Sequence, residues 1–235
     1  MPTVHSEWGL HGVETLREAC AVLVIVDVLS FSTAVDVAVG RGAKIHPFAY
    51  GDRAAAQAEA DRVGARLAAS HRAGDQLSLS PSSLFALTPG ERVLLPSPNG
   101  SRLSLAGGGA MVLAGCLRNA TAVAAHARRL AADADIAVIP AGERWPDGSL
   151  RCAIEDLIGA GAVIEALGLP ASPEAQVARD AFRAARPRLG EVIGGCMSGR
   201  ELIDRGFPRD VEIALELDAS PCAPELKNGA YEDAA

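Results

Sequence analysis

Residues 21–27 read Ala-Val-Leu-Val-Ile-Val-Asp, and this stretch decides the fold. Its six apolar residues run without interruption and four of them are β-branched, the pattern of a short strand buried on both faces. The run stops at Asp27, and a polar loop opens a helix. Ser30, Ser32 or Thr33 can cap that helix, whose apolar positions Ala34, Val35, Ala38 and Val39 recur at helical spacing until Gly40 and Gly42 end it. Strand, polar loop, helix is the repeating unit of an α/β protein.

The unit recurs along the chain. Residues 44–49 predict a strand, Asp52 caps an Ala-rich helix to about Ala65, and residues 92–95 predict another strand. Residues 111–114 form a strand leading through the loop 115–119 into a helix that ends near Leu130. The strand 135–139 and the helix 154–167 follow. Such alternation implies right-handed crossovers and a mainly parallel sheet between helical layers, with ligands bound beyond the carboxyl ends of the strands.

Two stretches break the rhythm. Residues 70–89 are rich in Ser, Gly and Pro and form a candidate binding loop; residues 170–187 read as a helix between prolines, packed on the outside. Residues 198–206 predict a short helix and 211–217 an alternating strand. Residues 1–220 are thus read as one α/β domain, and 221–235 as a flexible C-terminal tail.

Composition agrees. At 235 residues and 49% hydrophobic content the chain can bury a substantial core, and its 4% aromatic content suits Ala-, Val- and Leu-rich layers. The net charge is −7, with Lys and Arg scattered instead of clustered, which argues against a nucleic-acid partner. No basic leader and no membrane-length apolar run occur, so a cytoplasmic protein without membrane contact is expected. The five cysteines show no metal-type spacing and read as reduced structural thiols; Cys116 and Cys152 lie near loops of interest, but no adjacent His supports a nucleophile.

The loops after the predicted strands hold the candidate chemistry. Asp27 can bind a hard cation such as Mg²⁺, act as an in-line nucleophile, or only cap the helix. Ser97-Pro98-Asn99-Gly100-Ser101 places successive N–H groups before a helix start, an anion cradle or an ordinary turn. Arg118-Asn119 also precedes a helix, where an Arg fork can hold a phosphate or sulfonate. Glu143 and Arg144 follow the strand 135–139. Glu155 and Asp156 sit in the first turn of a long helix, favoured there by the helix dipole and also suited to a metal, with one of the two facing the cleft. This is the inventory of metal-assisted phosphoryl transfer to water.

At these residues the chain resembles the 2-phosphosulfolactate phosphatase family, the Mg²⁺-dependent ComB-like proteins. The similarity runs from about Val22 to Pro224. It is carried by Val26-Asp27-Val28-Leu29 with Ser32-Thr33-Ala34, by Ser97-Pro98-Asn99-Gly100-Ser101-Arg102, and by Gly115-Cys116-Leu117-Arg118-Asn119-Ala120. Ala141-Gly142 leading to Ile154-Glu155-Asp156 and Gly159-Ala160-Gly161 continues it, and Ser198-Gly199-Arg200-Glu201-Leu202, Gly206-Phe207 and Asp210-Val211 complete it. The resemblance implies a three-layer α/β/α fold with a mainly parallel or mixed central sheet, and hydrolysis of the phosphate ester of sulfolactate or a similar phosphorylated hydroxy acid. Where the family carries an Arg after Asp-Val-Leu this chain has Ser30, and where it carries a Gly-Glu pair before Ser80-Pro81 this chain has Ser70-His71-Arg72. His71 or Arg72 is the residue placed to compensate.

The reading that follows is a Mg²⁺-dependent phosphatase acting on a small anionic phosphorylated substrate. Asp27 with Glu155 or Asp156 holds the metal and carries catalysis; Ser32, Thr33, Asn99, Gly100, Ser101, Arg118 and Asn119 bind the substrate. A symmetric homodimer is the default assembly. A dinucleotide-binding oxidoreductase lacks its glycines between Asp27 and Thr33. The remaining alternative is a non-catalytic anion-binding or regulatory protein that keeps the fold.

Overall fold

The computed structural model describes residues 1–72 and 76–234, so part of the expected binding loop, residues 73–75, lies outside the described residues. The chain begins with β1 (Val4–Ser6) and α1 (Gly9–Leu16), then makes β2 (Val22–Val26) and α2 (Phe31–Gly40) on either side of Asp27. Every residue of β2 is fully buried. Val22, Val24 and Val26 pack into one hydrophobic cluster, Leu23 and Ile25 into another on the opposite face. Both faces are covered, so the strand needs no polar alternation, and each aliphatic side chain contributes about 1.5–3 kcal/mol by leaving water.

The chain continues through β3 (Lys44–Ala49), α3 (Arg53–Val63), β4 (Arg66–Leu67), α4 (Pro81–Leu84), β5 (Arg92–Ser97), α5 (Gly100–Leu105) and β6 (Met111–Gly115). Asp52 caps α3 as read, accepting from the N–H groups of Ala54 and Ala55 at 2.8 and 3.2 Å. After a 3₁₀ turn come α6 (Ala120–Ala131), β7 (Ile136–Pro140), the ribbon of β8 (Glu143–Arg144) and β9 (Leu150–Arg151), and α7 (Ile154–Leu167). Then follow α8 (Pro173–Ala185), α9 (Leu189–Gly195), α10 (Met197–Asp204), α11 (Pro208–Ala214), β10 (Pro224–Lys227) and β11 (Ala230–Asp233).

One sheet of nine strands runs in the order β1-β7-β2-β6-β10-β11-β3-β5-β4. It is mixed: β1, β7, β2 and β6 form one parallel block and β3, β5 and β4 a second. The hairpin β10–β11 joins them, antiparallel to β6 on one side and to β3 on the other. Residues of α6, α7 and α8 pack on one face, and residues of α1, α2, α4 and α5 on the other, giving three layers, α/β/α. The α7–α8 contact is close enough to require a glycine, since a Cβ on Gly161 would lie 2.1 Å from the Ala178 carbonyl oxygen. Among the described residues no helix is long and apolar enough to cross a membrane.

Two expectations are corrected. Residues 221–235 are not a frayed tail, because β10 and β11 occupy the middle of the sheet. Asn228 and Gly229 both have positive φ, 51° and 81°, the turn that matches hairpin twist, and Tyr231 is fully buried with its Oη 2.7 Å from Ser104 Oγ. Residues 211–217 are not a strand. Pro208 at the first helical position and Asp210 in the first turn start α11, which buries Val211 and Ala214 at a spacing of three.

Candidate active site

Asp27 is the junction of the two parallel blocks. Its Oδ1 accepts from the Phe31 N–H at 3.1 Å, at the start of α2, and its Oδ2 accepts from the Gly100 N–H at 3.0 Å, at the start of α5. The turn read as an anion cradle therefore holds a carboxylate of the chain itself. Gly100 is needed there because the Phe31 ring lies on it: an added Cβ would sit 2.2 Å from Phe31 Cδ1. Burial pushes the Asp27 carboxyl up to about 6 against these two donors, and the charge of Glu155 pushes the same way.

Three hydroxyls of these loops turn back to the backbone. Ser32 Oγ accepts from the Asp27 N–H at 3.0 Å and donates to the Ile25 carbonyl at 2.9 Å; Thr33 Oγ1 donates to the Val28 carbonyl at 2.8 Å. Ser101 Oγ donates to the Leu95 carbonyl at 2.9 Å. All three residues are fully buried and knit the strand ends to their helices. The structure thus places Ser32, Thr33 and Ser101, expected to bind substrate, with their hydroxyls turned to backbone groups.

Asn99 and Glu143 do face the cleft, with Asn99 Nδ2 donating to Glu143 Oε2 at 2.8 Å. Burial, then the charge of Asp27, pushes the Glu143 carboxyl up to about 7. Glu155 and Asp156 lie behind them. Asp156 accepts from the Val28 N–H at 2.7 Å and the Gly142 N–H at 2.9 Å, so it ties the loop after β2 to the loop after β7. Burial and the charges of Asp27 and Glu155 raise its carboxyl well above the usual range. Glu155 is equally buried and accepts from the Cys196 thiol at 3.2 Å.

The structure does not bring Arg118 and Asn119 to the cleft. Arg118 Nε donates to Asp36 Oδ2 at 2.8 Å and Nη1 to Glu216, pinning the loop after β6 to α2 and to the chain beyond α11. Asn119 Oδ1 accepts from the Cys116 N–H at 2.9 Å and its Nδ2 donates to the Ala114 carbonyl at 3.2 Å. The Cys116 thiol is raised by burial, the wrong direction for a nucleophile.

The guanidinium that does line the cleft is Arg72, from the 70–89 stretch, joined by Arg205 at the end of α10. The cavity of about 290 Å³ thus has an acidic wall, Asp27 and Glu143, and a basic wall, Arg72 and Arg205. Arg205 carried no sequence signal, because it reaches the cleft only through the packing of α10 on α11. Among the described residues no three His, Cys, Asp or Glu side chains come together as a ready metal cage.

A three-layer α/β/α protein with a charged cleft at its strand ends is the class that the fold and site define, and comparison with known proteins gives the family. The model described as 2-phosphosulpholactate phosphatase matches residues 10–229. The chain belongs to that family. It is 29% identical over 214 residues to the "Probable 2-phosphosulfolactate phosphatase" of Carboxydothermus hydrogenoformans, covering 86% of this chain and 85% of that protein. It is 27% identical over 222 residues to the 2-phosphosulfolactate phosphatase of Methanothermobacter thermautotrophicus, covering 92% and 91%.

Proposed function

We propose that this chain is a Mg²⁺-dependent cytoplasmic phosphatase that hydrolyses 2-phosphosulfolactate or a closely similar phosphorylated hydroxy acid, and that it works as a homodimer. The observation that carries the reading is the pair Asp27 and Glu143, two carboxylates lining one cleft, one buried and one partly buried, both pushed up by desolvation and Glu143 further by the charge of Asp27, in a chain of this family.

The donor set fits a hard divalent cation. Both cleft carboxylates offer oxygen, and mutual repulsion makes a cation welcome between them and the substrate. One or two carboxylates completed by water and phosphate is the usual Mg²⁺ arrangement, whereas a full protein cage is not. Where the sequence reading gave the ion to Asp27 with Glu155 or Asp156, the lining of the cleft favours Asp27 with Glu143, and Glu155 and Asp156, outside that lining, would add negative charge. Bound there, Mg²⁺ supplies neutralisation of phosphoryl charge.

The protein's own groups do the rest. Asp27 is held rigidly by the Phe31 and Gly100 N–H groups, so it meets the substrate without reorganisation. Glu143 is oriented by the Asn99 amide, so the second carboxylate also faces the cleft without reorganisation. Asp156 keeps the two loops at fixed separation.

The test is phosphate release from a panel of small phosphate esters with Mg²⁺ and again with EDTA. Metal-dependent release that favours 2-phosphosulfolactate, and drops at least ~100-fold in Asp27→Asn, is the expected result. Ligand binding without release from any ester would sink the catalytic reading and leave an anion-binding protein.

A further inference from the structure

We propose that Arg72, seconded by Arg205, is the specificity-determining residue that reads a second anionic group on the substrate, a sulfonate or carboxylate carried beside the phosphate ester. The proposal rests on the phosphatase reading of the same cleft and names the part of the substrate that the basic wall takes.

Arg72 is positioned from three sides. Its Nη2 donates to Ser30 Oγ at 2.6 Å and to the Leu79 carbonyl at 3.4 Å, and its guanidinium carbon lies 5.6 Å from the centre of the Phe207 ring. Its Nε is 3.2 Å from Asp210 Oδ2, yet neither atom has a hydrogen-bond partner in the right alignment. Nη1 has no hydrogen-bond partner among the described residues either. A guanidinium only 13% exposed thus keeps unused N–H donors while lining the cavity.

Its ion-pair partner Asp210 does not satisfy it. Asp210 Oδ1 is already taken by the Ser80 hydroxyl at 2.6 Å and the Ser82 hydroxyl at 2.9 Å. Arg205 places a second positive charge on the same wall, and like charges held together in a partly dry cleft favour an anion between them. The cleft's carboxylates, Asp27 and Glu143, whose charges reach Arg72, repel any anion not bridged by a cation. A phosphate ester with one extra negative group is therefore oriented end to end, phosphoryl group on the acidic wall and the extra group on Arg72.

The experiment compares wild type, Arg72→Ala, Arg72→Lys and Arg205→Ala on three esters with Mg²⁺: 2-phosphosulfolactate, 2-phospholactate and isopropyl phosphate. The expected result is that Arg72→Ala lowers the kcat/KM ratio of phosphosulfolactate to isopropyl phosphate by ~10–100-fold, mainly through KM, the size of a lost charge-assisted hydrogen bond. Arg72→Lys recovers part of the ratio, and Arg205→Ala, at an exposed position that tolerates truncation, moves it the same way by less. Whether phospholactate follows phosphosulfolactate or isopropyl phosphate assigns the carboxylate or the sulfonate to Arg72. An equal loss on all three esters, or an unmoved ratio, overturns the proposal and leaves Arg72 as a tie between its loop and α11. Calorimetric titration with sulfolactate, which has no phosphate to lose, separates the two readings: Arg72-dependent binding without turnover of any ester would keep this inference and fail the phosphatase.

Discussion

Asp27 and Glu143 set the pH response of the cleft. Both must be ionised to hold a cation, and their carboxyls titrate at about 6 and about 7. We expect kcat/KM to rise with pH through that range and level off above it, and Glu143→Gln to remove the higher of the two inflections; a profile flat from pH 5 to 8 would contradict the assignment. Arg118 makes the opposite case. Its partner Asp36 has no exposed side-chain surface, so Arg118→Ala strands a buried carboxylate and should cost roughly 3–5 kcal/mol in chemical denaturation, with KM unchanged. A raised KM in a normally stable variant would return Arg118 to the substrate site.

The elements meet where small residues allow it. At the start of α5 the Phe31 ring covers Gly100, and the same contact delivers the Gly100 N–H to Asp27. Gly100→Ala should therefore lose about 1–3 kcal/mol through overpacking, seen as a lower Tm, and lose turnover with it. Trimming the obstruction in Gly100→Ala/Phe31→Leu should recover part of the stability; no recovery would show that the clash lies elsewhere. The hairpin gives an element-scale test of a different kind. Removing residues 223–235 takes away the strands between β6 and β3, so the shortened chain should fail to give a cooperative melt, whereas a frayed tail would be dispensable.

Across the whole molecule, the buried carboxylates link stability to pH and to the metal. Folding raises Asp27 from an ordinary 3.8 and Glu143 from an ordinary 4.5, so between those values and about 6 to 7 the folded chain binds more protons than the unfolded one. Stability from these two groups must then fall as pH rises through that window. A cation that binds their ionised forms offsets the loss. Thermal melts with and without Mg²⁺ should show stabilisation that grows from pH 5 to pH 8; a shift independent of pH, or none, would place the ion elsewhere.

Local sequence was enough for the α/β architecture, because a short uninterrupted apolar run such as 22–26, with four of five residues β-branched, reads as a strand covered on both faces, and because caps such as Asp52 act within one turn. It also located Asp27, the strand-end carboxylate from which the cleft is built. The Asn228-Gly229 turn between apolar flanks was a legible hairpin signal, outweighed by the polar composition around it. The segment 211–217 satisfies strand and helix periods alike, and only Pro208 and packing against α10 choose between them. The roles of Ser32, Thr33, Ser101 and Arg118 were decided by tertiary structure alone, since a polar side chain at a strand end can face the cleft or turn back to a carbonyl or carboxylate. So was the basic wall: Arg72 and Arg205 are 133 positions apart in the chain, and only the packing of α4 against α11, and of α11 against α10, brings their charges to one cavity.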